Sequence, residues 1–213
     1  MSYRDLTQPV RDGMLVFPGD PKVTLDRHAT VAADGYQVHT LNCGSHTGTH
    51  VDAPSHFLSD GEHIDTFPTE RFVLDAILAD CSGRQRREPI GPESLPASDA
   101  DVVVVRTDWS DHWDDQQYLE HPYLTPAAAE FCVEQGYDVA IDTLNPDPTP
   151  TERADSTEPS GFPVHRQLLS ERLLIFENLT GLSELPDRFE LVAFPLKLAN
   201  SDGAPVRAVA RLD

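Results

Sequence analysis

The chain has 213 residues, and its 36 acidic against 16 basic side chains give a formal charge of -20 at pH 7. That balance excludes ordinary nucleic-acid binding, because no basic run is present to release counterions from phosphates, and it argues against docking on anionic lipid. The length sets an expectation of one domain that buries roughly 70% of the surface its unfolded chain exposes, so a full core needs no staples.

Three cysteines, Cys43, Cys81 and Cys132, are odd in number and widely spaced, which argues against a disulfide framework. The opening residues MSYRDLTQPV hold no apolar stretch of the signal-peptide kind. No apolar run approaches the roughly 18 residues of a membrane span. A cytoplasmic location with no membrane partner is the expectation. Only Lys22 and Lys197 are lysines. An acidic, lysine-poor surface suits a halophilic archaeal cytoplasm, where the Debye length falls to about 3 Å at molar salt and self-repulsion is screened. A generically acidic mesophilic protein is the alternative.

Along the chain, β-rich segments dominate. Strands are expected at 36–41, 72–78, 102–105, 139–141, 173–176, 190–198 and 206–212. The run VVVV at 102–105 reads as a strand buried on both faces. One helix is well marked: Thr125 as N-cap, Pro126 at the first position, AAAEFCVEQ after it, and Gly136 as terminator. A second, shorter helix is expected over 164–171. Between them lies NPDPTPTERADSTEPS (145–160), with four prolines, which reads as a loop long enough to serve as a lid. Strands with few helices define a single α/β domain spanning 1–213 with a mixed sheet.

The chemistry concentrates in SHTGTHVDAPSHF, where His46, His50, Asp52 and His56 fall within eleven positions. Imidazoles and a carboxylate this close form a ligand set for zinc or manganese. The helical zinc-protease arrangement fails here, because no Glu follows His46 and both Gly48 and Pro54 break a helix. The segment is therefore a glycine-bent loop, with His50 and Asp52 on one side where it is extended. Surface or core histidines without metal are the alternative. Farther on, HRQLLSERLLIFEN starts at His165 and reaches Glu177. A helix entered at His165 and a strand ending at Glu177 would bring both to one sheet edge; two unrelated surface residues are the alternative. Trp109, after the valine strand, is a candidate to stack on an aromatic substrate. Asp142 and Thr143 are candidates to hydrogen-bond a metal-binding histidine.

SHTGTHVDAPSHF resembles the signature of the metal-dependent cyclase family, which includes bacterial-type kynurenine formamidases and isatin hydrolases. The pattern is met at His46, Gly48, Thr49, His50, Asp52, Pro54, His56 and Phe57. FPGD at 17–20, IDTLNPD at 141–147, FPVHRQLL, FENLTGL and FPLKLANSDGAPVRAVA extend the likeness over most of the chain. The resemblance implies a swivelling β/β/α architecture and a homodimer or homotetramer. It further implies two divalent ions, zinc before manganese: His46, His50 and Asp52 on one, Asp52, His165 and Glu177 on the other. His56 is then the catalytic acid/base, a role imidazole fills because it titrates near neutral pH. Phe17, where relatives often carry Trp or Tyr, is a substrate-pocket candidate. The implied activity is hydrolysis of a small-molecule amide, N-formylkynurenine giving kynurenine and formate. Isatin or another cyclic amide or lactone is the alternative substrate, and a non-catalytic metal-binding domain is the alternative class.

Overall fold

The computed structural model describes residues 1–212, in twelve β-strands and three α-helices joined by short 3-10 turns. The elements run β1 (Ser2–Asp5), β2 (Thr24–Ala29), α1 (Val31–Asp34), β3 (Val38–Asn42), β4 (His50–Asp52), β5 (Val73–Asp80), β6 (Pro89–Ile90), β7 (Val102–Arg106), β8 (Tyr123–Leu124), α2 (Pro126–Gln135), β9 (Asp138–Ile141), α3 (Pro163–Ser170), β10 (Ile175–Glu177), β11 (Arg188–Pro195) and β12 (Gly203–Leu212).

One mixed sheet carries the fold. Its order is β1-β12-β11-β5-β7-β9-β10-β4, and a further pairing of β4 with β12 closes the last seven strands into a barrel. The long strand β12 makes closure possible by dividing one edge: Gly203–Pro205 pair with β4, while Val209–Leu212 pair with β1. Within this sheet the pairings β5–β7, β7–β9 and β9–β10 are parallel and the other ladders antiparallel; apart from it, β6 and β8 form a small parallel pair.

Side-chain alternation builds two cores from the same strands. Val102 and Val104 of β7, Ala140 of β9, Phe176 of β10 and Val51 of β4 enter the barrel, where β12 adds the small residues Ala204, Ala208 and Ala210. Val103, Val105, Val139, Ile141 and Ile175 face outward, onto Ala128, Ala129 and Cys132 of α2 and Val164, Leu168 and Leu169 of α3. The continuous valine run is thus buried on both faces, as expected of a strand between barrel and helices. A third cluster, around Trp109, Tyr118 and Leu144, fills one end.

The single α/β domain with few helices is as the sequence indicates. α2 begins and ends where its caps predict: Thr125 accepts from Ala128 N, and Gly136 takes φ 74. Strand boundaries shift by a few residues. β1, β2 and β4 were not anticipated, because Ser, Asp, Arg and His in these short segments carry little β-propensity of their own. The segment 145–160 is irregular but only partly a surface loop. Asn145, Asp147 and Thr149 are buried, and Arg87 ties Glu158 down with a hydrogen bond of 2.7 Å.

Candidate metal centre and its cavity

The register of β4 against β10 assembles the centre. His50 lies opposite Glu177 and Asp52 opposite Ile175. Val51 and Phe176, between them, point into the barrel, so His50, Asp52 and Glu177 point out of it, toward α3 and His165. The preceding loop turns at Gly48, which takes φ +63. His46 then folds back onto Gly203, where an added Cβ would sit 2.8 Å from the His46 ring and 2.7 Å from the Val51 carbonyl. Only glycine fits there.

Donor atoms converge in this space. Asp52 Oδ1 is 2.6 Å from His46 Nδ1 and 3.2 Å from His50 Nε2, and Asp52 Oδ2 is 3.4 Å from His165 Nε2. Glu177 reaches His50 Nε2 at 3.2 Å and His165 Nε2 at 3.1 Å. Around an ion with bonds near 2.1 Å, adjacent ligands sit about 3 Å apart, which is the spacing seen.

His50 gives a sharper test of fit. Its Nδ1 donates to the Gly48 carbonyl at 2.8 Å, which turns Nε2 toward Asp52 and Glu177. Nε2 is buried and, despite the two carboxylates nearby, makes no aligned hydrogen bond. A buried ring nitrogen between two carboxylates, with the far ring nitrogen on a carbonyl, fits a divalent cation. His165 shares the outer half of this arrangement, with Asp147 Oδ2 2.7 Å from its Nδ1, while its Nε2 is hydrogen-bonded to Glu177 Oε1 at 3.1 Å.

Electrostatics agree. Burial disfavours a charged ring, yet Asp52 and Glu177 outweigh it and push His50 up to about 10. His46 rises to about 9, burial again being overcome by Asp52 and Asp202. His165 is also raised, its burial offset by Asp147, Asp52 and Glu177. The Asp52 carboxyl, though fully buried, is held well below the usual range by His46, His165 and His50. The carboxylates demand positive charge here, which is met by protons or by metal in their place.

His56 lies beside the cluster, its ring 3.9 Å from that of His46 between centroids, with Nδ1 3.3 Å from Asp202 Oδ2. Ligand atoms of His46, Asp52 and His56 come within 4.8 Å of one another, as do those of His50, Asp52 and Glu177. Above them opens a cavity of about 220 Å³ with apolar walls that include Leu15, Phe17, Phe57, Trp113 and Phe162. Phe162 stands 6.0 Å from Phe17 and 5.6 Å from Phe57, ring to ring.

The structure thus brings His46, His50, Asp52, His56, His165, Glu177 and Phe17 to one place. Trp109 is not among them. It is buried beneath the cavity wall with Nε1 donating to the Tyr118 carbonyl, and Trp113 lines the cavity instead. Asp142 does not reach a histidine either: its carboxylate accepts from Thr107 N, Thr107 Oγ1 and Asp108 N. Thr143 donates to the Asn145 carbonyl.

Two residues with no role assigned from sequence take the supporting positions. Asp147 accepts from Val164 N and His165 N, capping α3 in place of Phe162, and so fixes His165. Asp202, just before β12, lies 3.0 Å from His46 Nε2; hydrogen bonds from His46 and His56 hold its carboxyl far below the usual range. Both acids lie inside segments that carry the family likeness, but no spacing ties them to a histidine.

Imidazoles and carboxylates gathered on the outer wall of a closed barrel, beneath an aromatic-walled cavity, define a protein with a candidate metal centre. The chain belongs to the putative cyclase family, whose pattern its residues 4–148 match. It is 32% identical to a kynurenine formamidase of Salinibacter ruber, over 99% of this chain and 98% of that protein. Among solved structures, isatin hydrolase A of Labrenzia aggregata, bound to benzyl benzoate, superposes with TM-score 0.86 at 26% identity, covering 98% of this chain and 93% of that one. A potential metal-dependent hydrolase with cyclase activity superposes with TM-score 0.79 at 28% identity, covering 100% and 99%.

Proposed function

We propose that the chain is a metal-dependent hydrolase of carbon–nitrogen amide bonds, with N-formylkynurenine, hydrolysed to kynurenine and formate, as its lead substrate. The observation that carries this reading is His50 Nε2, buried under the cavity without an aligned hydrogen bond and 3.2 Å from both the Asp52 and the Glu177 carboxylate. His46, His50 and Asp52 would hold one divalent ion and Asp52, His165 and Glu177 a second, since Asp52 turns one oxygen to each group. Three imidazoles favour zinc over manganese. When bound, the ions supply Lewis acidity toward a carbonyl oxygen and acidify a nearby water.

His56 does the proton work. With Nδ1 engaged by Asp202, its Nε2 accepts a proton from the attacking water and returns it to the departing nitrogen. Asp147 and the Gly48 carbonyl fix the ligand rings. Phe17, Phe57, Phe162 and Trp113 hold an aryl ring and exclude water. The same chemistry on a cyclic amide is the second reading, favoured by the near-complete superposition on isatin hydrolase A. Turnover of N-formylkynurenine, isatin and formanilide by zinc-loaded protein decides between them. Turnover of none would sink both readings.

The chain forms a homodimer or homotetramer. The β2–β3 ribbon supports this: every residue of β3 is exposed, as are Val31 and Tyr36, and a lone two-stranded ribbon is marginal in water. Light scattering that found a monomer would contradict it. No described helix is long and apolar enough to cross a membrane. The location is taken as cytoplasmic, in a high-salt cell.

A further inference from the structure

Between β9 and α3 the chain crosses the surface as a strap, residues 150–161, with few ties to the body. Residues 152–157 are all exposed, and a second cavity of about 160 Å³ lies beneath the strap, lined by Arg87, Pro148, Pro150 and Pro159. The strap thus spans a space instead of packing on a core. Among the described residues, its hydrogen bonds to the body come from Arg87 and, at the last residue, from Arg166, whose Nε donates to the Gly161 carbonyl at 3.0 Å.

Arg87 gathers both ends. Its guanidinium donates to the Thr149 carbonyl at 3.1 Å and to Thr151 Oγ1 at 3.3 Å where the strap begins. Near the other end it donates to Glu158 Oε1 at 2.7 Å and also to Glu158 Oε2. The Arg87 and Glu158 side chains are only 10% and 9% exposed, so solvent weakens this pair far less than a surface pair.

Past the strap the chain enters the metal centre. Gly161 (φ 78) and Phe162 (φ 57) turn it into α3, which carries His165. A bulky residue holds that left-handed conformation only where its surroundings impose it. The Phe162 ring stands against Phe17 and Phe57 in the wall of the first cavity, 6.0 Å from the His165 ring. Phe162 borders the second cavity as well, so it is the partition between them.

We propose that Arg87 and Glu158 form a latch that keeps the strap closed and the Phe162 ring against the substrate, so that release of Glu158 opens the cavity on this side. Both are positioning residues, acting through Phe162. The effect on substrate rests on reading the cavity as an amide site; the latch does not.

Glu158→Gln is the clean perturbation, because Arg87 keeps Glu120 at 3.1 Å and is not left as an unpaired buried charge. Trypsin acting on the zinc-loaded protein, with the fragments weighed, reads the strap at Arg153 and global unfolding at Arg106, the last residue of β7. The Arg153 cut should respond weakly to urea and the Arg106 cut steeply, since local opening exposes little surface. Glu158→Gln should speed the Arg153 cut about tenfold, the worth of one charge-assisted hydrogen bond. Acetanilide, an aryl amide, should slow that cut in the parent chain. For formanilide, KM should rise in Glu158→Gln with kcat changed far less. An Arg153 cut as steep in urea as the Arg106 cut, a rate the variant leaves unchanged, no protection by acetanilide, or an unchanged KM would each overturn the proposal. Formanilide turnover itself is scored apart: none in the parent chain, with the Arg153 results as expected, would remove the hydrolase reading and leave the latch standing.

Discussion

His121 makes a pH dependence that can be worked out in advance. The ring is 1% exposed, and burial holds it neutral, at about 4 against an ordinary 6.5, although Glu177 and Glu120 favour its charge while Arg87 opposes it. Between those values the unfolded chain binds a proton the folded chain refuses. Stability contributed by neutral His121 is therefore complete above about pH 6.5 and lost as pH falls toward 4. At about 1.4 kcal/mol per pH unit the loss amounts to about 3 kcal/mol. His121→Asn removes the titrating ring and keeps a donor for the Pro122 carbonyl. Its packing cost is the same at every pH, so the difference in unfolding free energy between parent and variant isolates the titration. Denaturant unfolding of the metal-free chain from about pH 7 to pH 4 measures it. His46 and His50, raised to about 9 and about 10, keep their contribution below pH 6.5 and lose it only as pH rises through those values, so they do not obscure the acid window. A parent-minus-variant difference that stays flat across the window would refute the reasoning.

Metal content offers a second check. Asp52→Ala should empty both ion positions while His165→Ala spares the one on His46 and His50, read by elemental analysis; two ions per chain in Asp52→Ala would end the bridging assignment. Salt offers a third. With a charge of -20 the melting temperature should climb steeply from dilute buffer to molar KCl as counterions relieve repulsion. A flat curve would remove the high-salt reading and leave the chemistry untouched.

What could be read from sequence followed the strength of local signals. α2 was legible to the residue because its two caps and proline are local chemistry, and β7 because four valines admit little else. The four-donor segment was legible because its density in eleven positions has no common structural cause. Barrel closure was not, since it depends on β12 being long enough to share an edge, which only pairing reveals. Asp147 and Asp202 were hidden for a similar reason. Each meets its histidine across 18 and 156 positions of chain, a juxtaposition set by tertiary packing alone. Trp109 was misplaced because a residue at a strand end points to a site only if the following turn allows it. Here Asp108 takes φ 61, and the Trp109 ring is buried beneath the cavity wall, in the cluster with Tyr118.

The central claim is that ligation and proton transfer are divided among these histidines, and His56 is where the two roles separate. His56→Asn in zinc-loaded protein, assayed together for metal content and for turnover of an aryl formamide, tests the division directly. The account predicts that both ions stay while kcat falls by about 10²–10⁴-fold with KM changed far less. Loss of metal from the variant would place His56 among the ligands, and near-full activity with metal retained would contradict the mechanism outright.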